Sequence, residues 1–95
     1  MTQEKPVVAA LRSKLEAAFS PSSLVIEDES ARHAGHVGVR AEGETHFNVR
    51  IVSEKFSGLS RVERQRKVYA VLAAELADRV HALSLSALTP DEAAR

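Results

Sequence analysis

The side chains best suited to chemistry in this sequence are four histidines, His33, His36, His46 and His81, in a chain that contains no cysteine. Neutral imidazole is a good ligand for zinc, nickel, copper and iron. Without thiols, disulfides are excluded, and so is any metal or cluster site built from the chain's own thiolates. His33 and His36 are spaced H-x-x-H in a stretch that holds three glycines, and such a pair could take zinc or nickel. His46, next to Phe47 at the start of a β-like segment, reads as structural, with its ring hydrogen-bonded near the base of the preceding loop. A lone histidine on a strand is most often a surface or satisfied residue, and His81, which shares strand parity with Leu83 and Leu85, could simply cap the core edge. Any imidazole must be neutral to coordinate, so a site built from these residues loosens in acid.

A second group is basic. Between residues 55 and 67 stand Lys55, Arg61, Arg64, Arg66 and Lys67 against a lone acid, Glu63. Arginines on a helix behind a glycine turn could meet phosphates, with salt-dependent affinity. No second glycine follows Gly58 to make the Gly-x-x-Gly clamp of nucleic-acid-binding KH domains, and no aromatic residue is placed to stack a base. Gln65 is the only amide in the segment that could read a base edge. The commoner use of such a run is a solvated helix face.

Catalysis finds little support. No serine, threonine or lysine lies in a recognisable nucleophile motif, and no glycine-rich phosphate loop follows a strand. Asp28 and Glu29 are neighbours at a strand end, so their side chains diverge instead of pairing as acid and base.

The composition fits a small binding domain. The chain has 95 residues, enough for one domain, with 13 basic and 13 acidic side chains and hence no global field toward nucleic acid or membrane. Met1 to Pro6 lacks the apolar core of a secretory signal, and no run approaches a membrane span, which makes the cytoplasm the expected location.

The periodicities say what must hold these residues. Val7, Val8, Leu11, Leu15, Ala18 and Phe19 repeat at helical spacing, and Pro6 and Ser20-Pro21 bracket a helix over 6–19. Leu24-Val25-Ile26-Glu27 reads as a strand, residues 31–43 as a long loop, and Phe47, Val49 and Ile51 as the buried face of a second strand. After a turn at Ser57-Gly58, Ser60 and Glu63 fit a capping box. The helix behind it would bury Val62, Val68, Tyr69, Leu72, Ala73 and Leu76, leaving Arg61, Arg64, Arg66 and Lys67 mostly outside. Residues 80–85 read as a last strand opened by His81. Thr89-Pro90-Asp91-Glu92 resembles a helix start that the chain is too short to continue. The order helix, strand, strand, helix, strand makes an α+β (αββαβ) domain over residues 1–95, ordered over about 6–90. Its first two strands are expected antiparallel and its last two parallel.

These segments together resemble the BolA family. Leu24 to Ser30 followed by His33, then Glu44-Thr45-His46-Phe47-Asn48-Val49 with Ile51-Val52-Ser53, are similar to its strand motifs. Phe56-Ser57-Gly58-Leu59-Ser60-Arg61-Val62, Arg64, Arg66 and Val68-Tyr69 match its helix, and Glu75-Leu76 with Val80-His81-Ala82-Leu83 complete the pattern. Gln65 departs from the histidine usual between the two arginines, and the tryptophan usual after the Thr-Pro segment is absent. The resemblance implies a type II KH-like fold, a three-stranded mixed sheet with helices packed on one face. It implies a heterodimer with a monothiol glutaredoxin that shares a 2Fe–2S cluster, the partner's cysteine and glutathione supplying sulfur. This chain would then supply imidazole from His33 and His81, with His36 in reserve, as two histidines do in Rieske centres. A basic face near His81 would also suit the anionic glutathione. The family's other implied occupation is DNA binding and transcriptional control, here through Lys55, Arg61, Arg64, Arg66 and Lys67. The isolated protein would be a monomer or weak homodimer that binds no cluster tightly by itself.

Overall fold

A computed structural model describes residues 5–29 and 45–95. Its elements run α1 (Pro6–Phe19), β1 (Ser23–Asp28), β2 (His46–Val52), a 3-10 turn (Glu54–Phe56), α2 (Arg61–Val71), α3 (Ala73–Asp78), β3 (Ala82–Leu88) and α4 (Pro90–Ala93). β2 is the central strand, antiparallel to β1 and parallel to β3. The expected mixed sheet is therefore present.

One face of that sheet makes the core. Phe47, Val49 and Ile51 on β2 are fully or almost fully buried, and the register sets Leu83, Leu85 and Ala87 beside them. Val7, Leu11, Leu15 and Phe19 of α1 and Val68 and Leu72 of the second helical segment close over them. The opposite face carries Val25, Arg50, Ser84 and Ser86 toward solvent. Alternation along each strand follows the pleat, which sends successive side chains to opposite faces.

The ends of α1 and β2 are tied together. Ser20 ends the helix in a left-handed conformation, φ 43°, with its N–H on the Glu16 carbonyl. Buried Ser53, just after β2, donates its hydroxyl to the Phe19 carbonyl at 2.6 Å and caps the 3-10 turn by accepting from the Lys55 N–H. Phe56 from that turn is fully buried, its ring 5.0 Å from that of Phe19.

Four expectations need correction. The long second helix is broken: Leu72 leaves helical geometry (φ −98°, ψ 15°), and Ala73 begins a separate helix as an exposed residue. The inward stripe of α2 runs Arg64, Val68, Leu72, which places Val62 about 200° around the helix; it is 53% exposed. The last strand starts at Ala82 and reaches Leu88, so His81 precedes it instead of opening it. The chain also completes its terminal helix. Thr89 and Glu92 form a full capping box around Pro90–Ala93.

Candidate functional site

The head of the sheet is organised by Thr45. This residue is 1% exposed, and its carbonyl accepts from the N–H groups of both His81 (2.8 Å) and Ala82 (3.1 Å). One step along, the Glu29 N–H donates to the His46 carbonyl at 2.7 Å, which extends the β1–β2 ladder to the same level. The start of β2, the end of β1 and the approach to β3 therefore meet within two residues of the central strand.

His81 stands on this platform with its side chain exposed. Its backbone is fixed by the Thr45 carbonyl, while the buried Val80 before it anchors the chain in the core. A solvent-facing imidazole on a fixed backbone is a good ligand for an ion that a second molecule brings in. His46 is its neighbour: the two ring centres are 6.2 Å apart, with planes at 72°. Thr45 Oγ1 and His46 Nδ1 share a hydrogen bond of 2.8 Å. The sequence reading paired His81 with the loop and gave His46 no part in its surroundings. Only the parallel register, which sets His46 against Ala82, reveals the contact.

His33 and His36 lie outside the described residues, as does the whole of 30–44. The residues flanking that segment, Glu29 and Thr45, are both at the end of the sheet that carries His81. His33 is four residues beyond Glu29, within about 14 Å of it by chain length alone. Among the described residues no group of three or more His, Cys, Asp or Glu side chains could hold a metal. Any site at His81 therefore draws further ligands from elsewhere.

The basic segment divides in two. Lys55, Arg61, Arg66 and Lys67 are exposed. Arg64 is 8% exposed and faces inward, a correction to its place in the outer patch. Its guanidinium donates to the carbonyls of Leu59 and Ala87 at 3.0 Å each and forms a two-pronged pair with the Glu92 carboxylate at 2.6 and 3.2 Å. The same helix sends the Tyr69 hydroxyl to the Leu83 carbonyl at 3.2 Å. Leu83 and Ala87 turn their carbonyls away from β2, so these two side chains cap the open edge of β3. The sequence held a signal for this, since Arg64 is four and eight residues ahead of Val68 and Leu72. The bonds from Arg64, and then the Thr89 N–H, hold the Glu92 carboxyl down at about 2 from an ordinary 4.5. Glu63 is also lowered, by the Ser60 N–H and then the Ser60 hydroxyl of the capping box.

The profile described as BolA-like protein matches residues 15–92. The chain is 50% identical over 84 residues to the chloroplastic BOLA1 protein of Arabidopsis thaliana, covering 86% of this chain and 52% of that one. It is 51% identical over 85 residues to human BolA-like protein 1, covering 90% of this chain and 59% of the relative. A chloroplastic/mitochondrial SufE-like protein 1 of Arabidopsis thaliana is 50% identical over 86 residues, covering 86% of this chain and 23% of the relative. The chain thus spans only part of the length of these relatives, from about a quarter to three fifths. Among solved structures, the BolA domain of SufE1 from Arabidopsis thaliana superposes with a TM-score of 0.83 at 46% identity, covering 95% of this chain and 99% of that one. The mouse BolA1 solution structure gives 0.78 at 44% identity, over 96% of this chain and 71% of that one. With the three-stranded mixed sheet and the histidine-bearing sheet end in place, these matches make the chain a member of the BolA-like family.

Proposed function

We propose that this protein is a non-catalytic adaptor that forms a heterodimer with a monothiol glutaredoxin and co-ligates a 2Fe–2S cluster as cargo. His81 supplies one imidazole and His33 the other, with His36 in reserve. The partner's cysteine and glutathione supply the thiolates that this chain lacks. The observation that carries the reading is the exposed His81 ring on its fixed mount, at the sheet end from which the His33-bearing segment leaves and to which it returns. Two imidazoles on one iron are established chemistry for such a cluster. The name of one relative, a SufE-like protein, hints at iron–sulfur work and agrees with this role. As compartment we propose the cytoplasm, although the matched plant relatives are named chloroplastic. No helix among the described residues is long and apolar enough to cross a membrane.

The test mixes the protein with cluster-loaded monothiol glutaredoxin and follows visible absorption and circular dichroism. A new spectrum is expected with the native chain and its loss with His81→Ala. No change with the native chain would sink the adaptor reading. A change that survives His81→Ala would keep the partner and remove the ligand.

The alternative, DNA binding and transcriptional control through residues 55–67, is left with Lys55, Arg61, Arg66 and Lys67, since Arg64 is spent on Glu92 and two carbonyls. Duplex affinity falling steeply with salt, and further on Arg66→Ala/Lys67→Ala, would favour it.

A further inference from the structure

The two edges of the sheet are finished differently. On β3 the outward carbonyls of Leu83 and Ala87 are taken by Tyr69 and Arg64. β1 forms the other edge. The Glu29 N–H donates to the His46 carbonyl, which makes Glu29 and His46 a hydrogen-bonded pair of the antiparallel ladder. Counting back by twos, Glu27, Val25 and Ser23 bond to β2, so Leu24 and Ile26 point their N–H and C=O groups away from the sheet. Among the described residues no hydrogen bond reaches these four groups. The side chains there are apolar on both faces. Val25 is 45% exposed on the outer face. Leu24 and Ile26, on the core face, are only partly buried, whereas Ile51 and Val49 beside them on β2 are fully buried. From Ser22 to Ile26 the strand carries no charge and no proline to blunt it, and such an edge is a template for another strand.

We propose that β1 pairs with β1 of a second copy of this chain, antiparallel about a two-fold axis through Val25, to make a continuous six-stranded sheet. In that register Leu24 faces the second copy's Ile26, and Ile26 faces its Leu24. Each such pair exchanges two N–H···O bonds, so every open group of Leu24 and Ile26 in both copies finds a partner. The two Val25 residues meet as a non-hydrogen-bonded pair, with Cα atoms about 4.5 Å apart, and cover each other. On the core face Leu24 and Ile26 carry the apolar layer across the axis. Charge selects the direction. Antiparallel alignment sets Glu27 and Asp28 of one strand beside Ser23 and Ser22 of the other, whereas parallel alignment would stack acid on acid. The surface is therefore complementary to itself, as a two-fold contact requires. A six-residue strand buries less than the roughly 1,200 Å² of a standard interface, so the dimer is weak and forms at high protein concentration.

The chain has no cysteine, so a single introduced thiol reports the register. A Cα separation of about 4.5 Å lies inside the range of about 4.4–6.8 Å that a disulfide spans. With oxidised glutathione as oxidant, Val25→Cys in the full chain should form a covalent dimer about tenfold faster than Glu27→Cys, whose thiol would face the second copy's Ser23. Sedimentation equilibrium of the native chain from about 10 μM to about 1 mM should show a reversible dimer. Val25→Lys, at an exposed position, sets two like charges face to face and should weaken that dimer by about tenfold or more. A native chain that stays monomeric over the whole range would overturn the proposal and leave the edge to an extended segment of another protein. A dimer that Val25→Lys leaves intact, or cross-linking no faster at Val25 than at Glu27, would put the contact on another surface and overturn it as well. Neither measurement involves a histidine or glutaredoxin, so the adaptor reading stands or falls separately.

Discussion

The guanidinium of Arg64 and the carboxylate of Glu92 meet in a two-pronged ion pair, at 2.6 and 3.2 Å, that locks the last turn of the chain against the start of α2. Glu92 at the same time accepts from the Thr89 N–H as the far half of a capping box. A residue whose charge suggests the solvent face is thus the polar centre of a junction between α2, β3 and α4. Its planar fork reaches two carbonyls and a carboxylate together, which a lysine could not do.

Arg64→Ala should lower stability by about 2–3 kcal/mol, because it leaves the carbonyls of Leu59 and Ala87 without their donor. Arg64→Lys should recover less than half of that loss. Urea unfolding of the three proteins measures it. A loss below about 0.5 kcal/mol, the range of ordinary surface changes, would return Arg64 to the outer patch.

Acid should loosen the same junction. The Glu92 carboxyl is held at about 2 in the folded chain against an ordinary 4.5, so its contribution is complete above about 4.5 and disappears as pH falls toward about 2. The melting temperature of the native protein should exceed that of Glu92→Gln at pH 7, and the gap should close through that window. A gap that stays constant down to pH 2 would contradict the pairing.

Gly58 holds φ 80° with nothing within 4 Å of the position a Cβ would take. Gly58→Ala should therefore cost about 1–2 kcal/mol through the left-handed backbone alone, without a clash. Phe56→Ala, two residues earlier, empties a fully buried site against Phe19 and should cost about 3–5 kcal/mol. Equal costs at the two positions would show that the turn is not organised as described.

His81→Ala, at an exposed ring, should change stability by no more than about 0.5 kcal/mol while removing the cluster-dependent spectrum.

Much of this architecture is written in local pattern. Alternating Phe47, Val49 and Ile51, the helical spacing of Leu11, Leu15 and Phe19, and the Ser60–Glu63 cap are each decided within a few residues, and the structure places them accordingly. The helix interposed between the last two strands was enough to make them parallel. The absence of thiols and the presence of His33 and His81 were equally legible, because residue type needs no fold to be read.

What sequence could not decide depends on partners distant along the chain. The fate of Arg64 was set by Glu92, 28 residues away, and by the edge of β3, neither of which periodicity can sense. The break at Leu72 and the exposure of Val62 follow from which face of α2 meets the sheet. The pairing of His46 with His81 exists only because parallel strand register brings the two strand starts to one level. Local propensity chose the elements, and the long-range hydrogen bonds and packing between them chose which side chains stand together.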